Sequence, residues 1–195
     1  MLETPVYVAC LNLTGRRVLV VGDGPLAQEK VAGLRECGAD VVATETYEPA
    51  SLDDCYLVVA ATDDRALAER IYADAEDRAM LVNVADVPDL CNFILPAVAR
   101  RGPLAIAIST SGASPALAKR MRREAEELFD DAYAEFARLL DGLRPWAREH
   151  LPDYGARRDF FDSLVNADPD PIELLRRGDP AAVHELIADA QARVA

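Results

Sequence analysis

Lysine is almost missing from this 195-residue chain: of 21 basic residues only Lys30 and Lys119 are lysines, and 34 acids leave a formal charge of −13. A surface with that balance repels nucleic acid and anionic lipid at long range, so neither is an expected partner, and a polyanionic ligand must meet a local basic pocket. Histidine is scarce as well, with only His150 and His184, both in the C-terminal part. The four cysteines, Cys10, Cys37, Cys55 and Cys91, form no Cys-x-x-Cys pair, which argues against a zinc site or a disulfide scaffold and for a reducing cytoplasm. No signal sequence opens the chain and no apolar run approaches the roughly 18 residues of a membrane span, so no membrane is expected. Tyr-x-x-x-Lys, the proton relay of short-chain dehydrogenases, is absent, and Gly112-Ala113-Ser114-Pro115-Ala116 lacks the closing glycine of a nucleophile elbow.

What is present is a series of apolar runs: RVLVV (17–21), DVVAT (40–44), YLVVAA (56–61), MLVNVA (80–85) and LAIAIS (104–109). Runs apolar at every position suit strands buried on both faces, as in a parallel sheet covered by helices. Helical patterns lie between most of them, clearest at 25–37 and 65–79, and this alternation predicts an α/β, Rossmann-like, doubly wound domain over 1–112. From Pro115 to Glu149 almost everything reads as helix, with Leu117, Met121, Leu128, Tyr133, Phe136, Leu140 and Leu143 as an apolar stripe. That segment, 113–150, is expected to be helical and to pair with another subunit. A C-terminal helical domain, 151–195, is expected to carry short helices near 156–165, 171–177 and 180–193.

Gly22-Asp23-Gly24-Pro25-Leu26-Ala27 is Gly-x-Gly-x-x-Ala between a predicted strand and a predicted helix. In a dinucleotide fingerprint the first glycine permits a tight turn, the second lets the backbone approach a pyrophosphate, and the small third residue packs helix on strand. Pro25 suits the first turn of a helix, and the amides there face an anion. Glu45 stands 21 residues after Gly24 at the end of the second strand, where an acid bonds the adenosine ribose. No arginine flanks it in sequence, so NAD is favoured over NADP.

The other strand ends are acidic, hydroxylic and amide. Thr62 and Asp63 follow the third run and are expected to cap the helix that begins near Arg65. Asn83 and Asp86 bracket a turn fixed by Pro88. Ser114 precedes Pro115, which reads either as a simple helix cap or as an anion-binding helix end backed by Lys119, Arg120, Arg122 and Arg123.

Together with the run from Val6 to Leu13 and Gly15-Arg16-Arg17, the segments AATDD, VNVADVPDLCNFILPAVARRG, ISTSGASPALAKRMR and ARRDFFDSLVN resemble the precorrin-2 dehydrogenase and sirohydrochlorin ferrochelatase family, the dehydrogenase half of siroheme synthases. The resemblance spans most of residues 6–165. It implies NAD-dependent oxidation of precorrin-2 to sirohydrochlorin, in bifunctional members insertion of ferrous iron as a substrate, and a homodimer formed through the region after the nucleotide domain. By position, Gly22, Asp23, Gly24, Pro25 and Leu26 fall in the cofactor loop, Glu45 and Thr46 at its adenosine side, Thr62 and Asp63 in the motif beside the cofactor, and Asn83 near the nicotinamide end. Asp86 matches the aspartate of the family's Asn-Val-x-Asp motif. Oxidation and chelation both need a base, and Asp86, between Ala85 and Val87, is expected to be buried, with its pKa raised toward useful values. Ser111, Ser114, Lys119 and Arg120 are the candidates for the carboxylates of the substrate, with Arg100 and Arg101 as further basic groups.

The sequence departs from the family in one interval. Members normally carry an extra helix and strand between the second strand and AATDD, whereas only TETYEPASLDDC separates DVVAT from YLVVAA here. That shortening puts Glu45 and Thr46 in question and leaves two alternatives open: a tetrapyrrole carrier or sensor that does not oxidise, and a chelatase without the redox step. Uroporphyrinogen methylation is expected to come from another protein.

Overall fold

Val18, Leu19, Val20 and Val21 are all shut off from solvent, as an uninterrupted apolar run in a strand covered on both faces must be. They belong to β1 (Arg17–Val21) of the computed structural model, which describes residues 6–194. Three more strands, β2 (Asp40–Thr44), β3 (Leu57–Ala60) and β4 (Leu81–Val84), join it in a parallel sheet of order β2-β1-β3-β4. Side chains alternate across this sheet. Val18, Val20, Leu57 and Val59 meet Ala27 of helix α1 (Pro25–Glu36) on one face. Leu19, Val21, Val58, Val82 and Val84 meet Ala68, Ile71 and Ala75 of α2 (Arg65–Glu76) on the other. Each fully buried Val, Leu or Ile is worth about 1.5–3 kcal/mol relative to exposure, so these two layers hold the unit together. The doubly wound α/β reading is borne out here. The chain steps outward from β1 to β2 and then back across β1 to β3, which puts the topological switch point between the carboxyl ends of β1 and β3.

The two edges of the sheet differ. The free side of β4 is closed by residues 91–93: Asn92 donates from its backbone to Val82 O at 3.1 Å, accepts from Val82 N–H at 2.8 Å through Oδ1, and donates to Met80 O at 2.8 Å through Nδ2. The outer edge of β2 pairs with no strand among the described residues, and its residues are partly exposed. The connection from β2 to β3 holds only the 3-10 turn Pro49–Leu52.

The chain divides into one compact unit that ends at Leu95 and a second that begins at Pro96. The division lies ahead of the boundary at 112 drawn from the strand count, and LAIAI explains why. It was expected as a further strand of the parallel sheet, but β6 (Leu104–Ile108) pairs antiparallel with β5 (Ala97–Arg101) in a separate hairpin. The run alternates large and small residues, and its burial alternates with them, the pattern of a strand with one open face. The hairpin packs on α3 (Pro115–Leu128).

The long helical segment also breaks once. α3 stops at Leu128 and α4 (Asp131–His150) begins after Asp130, whose carboxylate accepts from Ala132 N–H at 3.2 Å. The apolar stripe divides at this break: Leu117, Met121 and Leu128 of α3 stay exposed, while Tyr133, Phe136, Leu140 and Leu143 pack with α5 (Tyr154–Val165), α6 (Pro171–Arg176) and α7 (Pro180–Val194). These last three helices match the expected short ones closely.

Candidate active site

At the carboxyl edge the sheet's hydrogen bonding runs one step past the strands. Gly22 N–H donates to Thr44 O at 2.8 Å, Ala61 N–H to Val21 O at 2.7 Å, and Ala85 N–H to Ala60 O at 2.9 Å. The segments that leave the four strands, at 22–24, 44–46, 61–63 and 85–86, therefore emerge side by side. Most of the candidates read from the first unit lie on them.

Gly22 is fixed by a close approach. Its φ is +137°, and a Cβ there would sit 2.1 Å from Ala61 O, so the tight turn of the fingerprint also lets the exit of β3 pass beneath it. Gly24 differs: its φ of −72° is open to any residue, and a Cβ built on it meets nothing within 4 Å. Open space at that point is where a pyrophosphate would approach. Gly24 is also the N-cap of α1 and offers no side chain to the first turn, while Pro25 at the first position has no N–H to satisfy. Every other helix among the described residues has its first turn capped by Asp64, Ser114, Asp130, Asp153, Asp170 or Asp179. The start of α1 thus keeps its Leu26 and Ala27 amides for something else, with the positive end of the helix dipole behind them.

An open cleft of about 570 Å³ runs from this loop between α1 and β2, within the size range of small-molecule sites. Gly22, Asp23, Glu45, Thr46, Gln28 and Arg35 are among its lining residues. Gln28 and Arg35 were missed in the sequence, although they share a face with Val31 and Ala32 at the i, i+3, i+4, i+7 spacing of one helix side. No arginine flanks Glu45 along the chain, yet the fold brings Arg35 to the same cleft. Its guanidinium makes no hydrogen bond or ion pair among the described residues.

After β3 the cap falls one residue later than expected. Asp64, not Asp63, caps α2 by accepting from Leu67 N–H at 3.1 Å, and Thr62 Oγ1 accepts from Asp64 N–H at 3.2 Å. Asp63 is left exposed at the strand exit.

After β4 the two candidates part. Asn83 is 8% exposed, the one buried polar residue of its class among the described residues, and its Nδ2 donates to Phe93 O at 3.0 Å. It pins the segment that closes the sheet edge. Asp86 is exposed, so the burial expected for it is not found. The cause is the backbone: Asp86 takes a left-handed φ of +61° at the outer corner of the turn 84–87, which Val87 N–H closes onto Val84 O at 3.2 Å. Cys91 holds this turn from beneath, with Sγ 3.2 Å from Val84 O and 3.3 Å from Val87 O, and burial raises the thiol above its ordinary pKa, so it keeps its proton for those carbonyls. Non-glycine residues with positive φ number four among those described: Asp54, Ala79, Asp86 and Ser111. Two of the four are site candidates, and such backbone outliers gather at functional positions.

In the second unit, Ser114 behaves as a cap: its Oγ accepts from Leu117 N–H at 3.2 Å. Thr110 Oγ1 accepts from Ser114 N–H at 3.1 Å, and Ser111 N–H donates to Ser109 Oγ at 3.1 Å, so this loop largely satisfies itself. Arg120 pairs with Glu124 at 2.7 Å and Arg122 with Glu126. Arg101 is held by Glu126 O at 3.2 Å. Lys119 and Arg123 are exposed on α3 with no ion pair among the described residues.

Three family models match in succession. One described as "Putative NAD(P)-binding" matches residues 9–46 and 42–97, one described as "Sirohaem biosynthesis protein central" matches 101–128, and one described as "Sirohaem synthase dimerisation region" matches 132–190. The chain is 36% identical over 176 residues to a siroheme synthase of Nitrosococcus oceani, an alignment covering 80% of this chain and 38% of that protein. It is 34% identical over 208 residues to a siroheme synthase of Thioalkalivibrio sulfidiphilus, covering 95% and 41%. The chain spans about two fifths of the length of these curated relatives. A solved structure titled "SirC, precorrin-2 dehydrogenase" shares the fold, with a TM-score of 0.76 at 24% identity over 96% of this chain and 100% of that one. The 208-residue alignment is longer than this chain, so that relative carries residues with no counterpart here, and the break in the first family match falls at 42–46, where β2 ends.

Proposed function

Because the chain belongs to the siroheme synthase family, we propose that it oxidises precorrin-2 to sirohydrochlorin with NAD. The observation that carries this reading is the uncapped start of α1, set over open space at Gly24 and beside the switch point of a parallel sheet. NAD, when bound, supplies the hydride acceptor. The amides of Leu26 and Ala27 face its pyrophosphate, and the Glu45 carboxylate accepts hydrogen bonds from the adenosine ribose at the other end of the cleft. Dehydrogenation releases a hydride and a proton, and the proton passes to the Asp86 carboxylate. An exposed carboxylate at the corner of a fixed turn, one strand from the glycine loop across β3, is free to reach a macrocycle laid over the strand ends. Cys91 holds that turn, and Asn83 pins the neighbouring segment through Phe93 O.

In this reading the chain acts as a homodimer, and the exposed Leu117, Met121 and Leu128 of α3 offer an apolar surface for the second copy. Lys119 and Arg123 are the basic groups on α3 left for substrate carboxylates. Ferrous iron enters as a second substrate for sirohydrochlorin, with Asp86 again taking protons.

The test is anaerobic incubation with precorrin-2 and NAD, followed by the absorbance of sirohydrochlorin. Conversion dependent on NAD is expected. Folded protein that binds precorrin-2 without converting it favours the carrier reading, to which the short β2–β3 connection lends weight. Iron insertion into supplied sirohydrochlorin without nucleotide, together with no oxidation, favours a chelatase alone.

A further inference from the structure

Successive strands of a parallel sheet are usually joined by a crossover of a dozen or more residues, most often a helix. A helix there anchors the strand's exit by its own packing. Residues 45–56 contain only the 3-10 turn Pro49–Leu52, so something else must hold the exit of β2.

Tyr47 is that anchor. It is 6% exposed although it lies in the connection, and it packs in the α2-side core with Leu52 and Ile71. Its hydroxyl donates to Asp74 Oδ2 at 2.8 Å, and the Arg70 guanidinium lies 5.5 Å from the centre of its ring. Burial, followed by the Asp74 carboxylate, raises the phenol pKa, so the hydroxyl stays protonated and donating. Arg78 of the same helix region grips the connection further on, with Nη2 donating to Pro49 O at 3.3 Å. On the other side of the candidate pair, Thr44 Oγ1 donates to Thr46 O at 2.8 Å and accepts from Thr46 N–H at 3.1 Å. Glu45 and Thr46 are therefore tied ahead and behind, while both line the cleft on the α1 side of the sheet.

We propose that Tyr47 is a positioning residue for the adenosine half of the dinucleotide, holding Glu45 and Thr46 at the cleft by its grip on Asp74 and Arg70 of α2, the helix on the opposite face of the sheet. This inference rests on the dinucleotide reading given above. It goes beyond that reading in assigning cofactor affinity to a side chain that faces away from the cofactor.

The experiment measures NAD and ADP-ribose binding by the full chain and the NAD dependence of turnover, for wild type, Tyr47→Phe and Asp74→Asn, with thermal midpoints alongside. Tyr47→Phe removes only the hydroxyl. Kd for both ligands is expected to rise by roughly three- to ten-fold, the size of one net intramolecular hydrogen bond, and KM for NAD by the same factor while kcat holds. Asp74→Asn keeps an acceptor for the hydroxyl and is expected to bind within about two-fold of wild type. Wild type that binds NAD, with Tyr47→Phe binding equally well or losing kcat at unchanged KM, overturns the inference and leaves the dinucleotide reading standing. A wild type that binds no NAD overturns both.

Discussion

Two helices of this protein begin with the same sequence device, a proline at the first position after a small residue, and use it in opposite ways. α3 starts Ser114-Pro115, and the serine hydroxyl takes the Leu117 amide for itself. α1 starts Gly24-Pro25, has no side chain to spend, and opens on space that even a Cβ would not fill. A capped start is closed to ligands because its orphan donors are already satisfied, typically at a gain of about 1 kcal/mol. An uncapped start forgoes that gain and keeps a site for an anion. In the proposed reading, one hydroxymethyl group separates a helix end that caps itself from one left open for an anion.

Giving α1 the cap it lacks is expected to have the largest effect. Gly24→Asp is expected to raise Kd for NAD by more than about 100-fold, since charge and bulk meet the pyrophosphate, while stability stays level or rises by a few tenths of a kcal/mol, because aspartate is a good N-cap. Calorimetric titration beside urea unfolding reads both quantities, and an affinity equal to wild type makes the loop a plain turn. Asp86→Ala examines the neighbouring strand exit. Turnover is expected to fall by about 100-fold with Kd for NAD unchanged, the usual scale for a general base, and near-normal turnover removes Asp86 from the chemistry. Gly22→Ala attacks the approach of Ala61 and is expected to cost about 3 kcal/mol or more in urea, from backbone strain and the contact at 2.1 Å.

The opposite helix start gives smaller effects. Ser114→Ala is expected to cost about 1 kcal/mol as a lost cap and to leave KM for precorrin-2 unchanged; a raised KM restores the anion-binding reading of that residue. The cap at α4 carries a pH signature. Hydrogen bonding from Arg176 at 2.7 Å holds the Asp130 carboxyl below its ordinary range. Its contribution is therefore complete above the unfolded carboxylate value of about 3.9 and is lost as pH falls through the lower folded value. Asp130→Asn is expected to differ from wild type in urea midpoint at pH 5 and above, with the gap closing in stronger acid. A gap that persists unchanged at pH 2 contradicts this.

Much of the first unit was legible because its signals are local. Val18 to Val21 are apolar at every position and lie in a doubly covered strand, and Gly22 and Gly24 stand where strand turns to helix. Other features were not legible, each for a physical reason. β5 ends in Arg100-Arg101, which read as a basic patch because a half-exposed hairpin strand need not be apolar throughout. The alternation in LAIAI is one of size and not of polarity, so the run fits a doubly covered strand as well as a half-open one. Asp63 and Asp64 are equally good caps on paper, and only the position of the helix start chooses between them. Asp86 was expected to be buried from its neighbours Ala85 and Val87, yet a left-handed residue at a corner points its side chain outward whatever flanks it. Tyr47 carries no local signal, because its partner Asp74 is 27 residues away and no sequence pattern connects them.

The proposed site lays a dinucleotide across the first amides of α1. Titration of the isotopically labelled protein with NAD, followed by amide proton–nitrogen correlation spectra, addresses it residue by residue. Saturable shifts of the Leu26 and Ala27 amides are expected, with no matching shift at Leu117. Shifts that centre on Leu117 and spare residues 26 and 27, or no saturable shift anywhere, would contradict it.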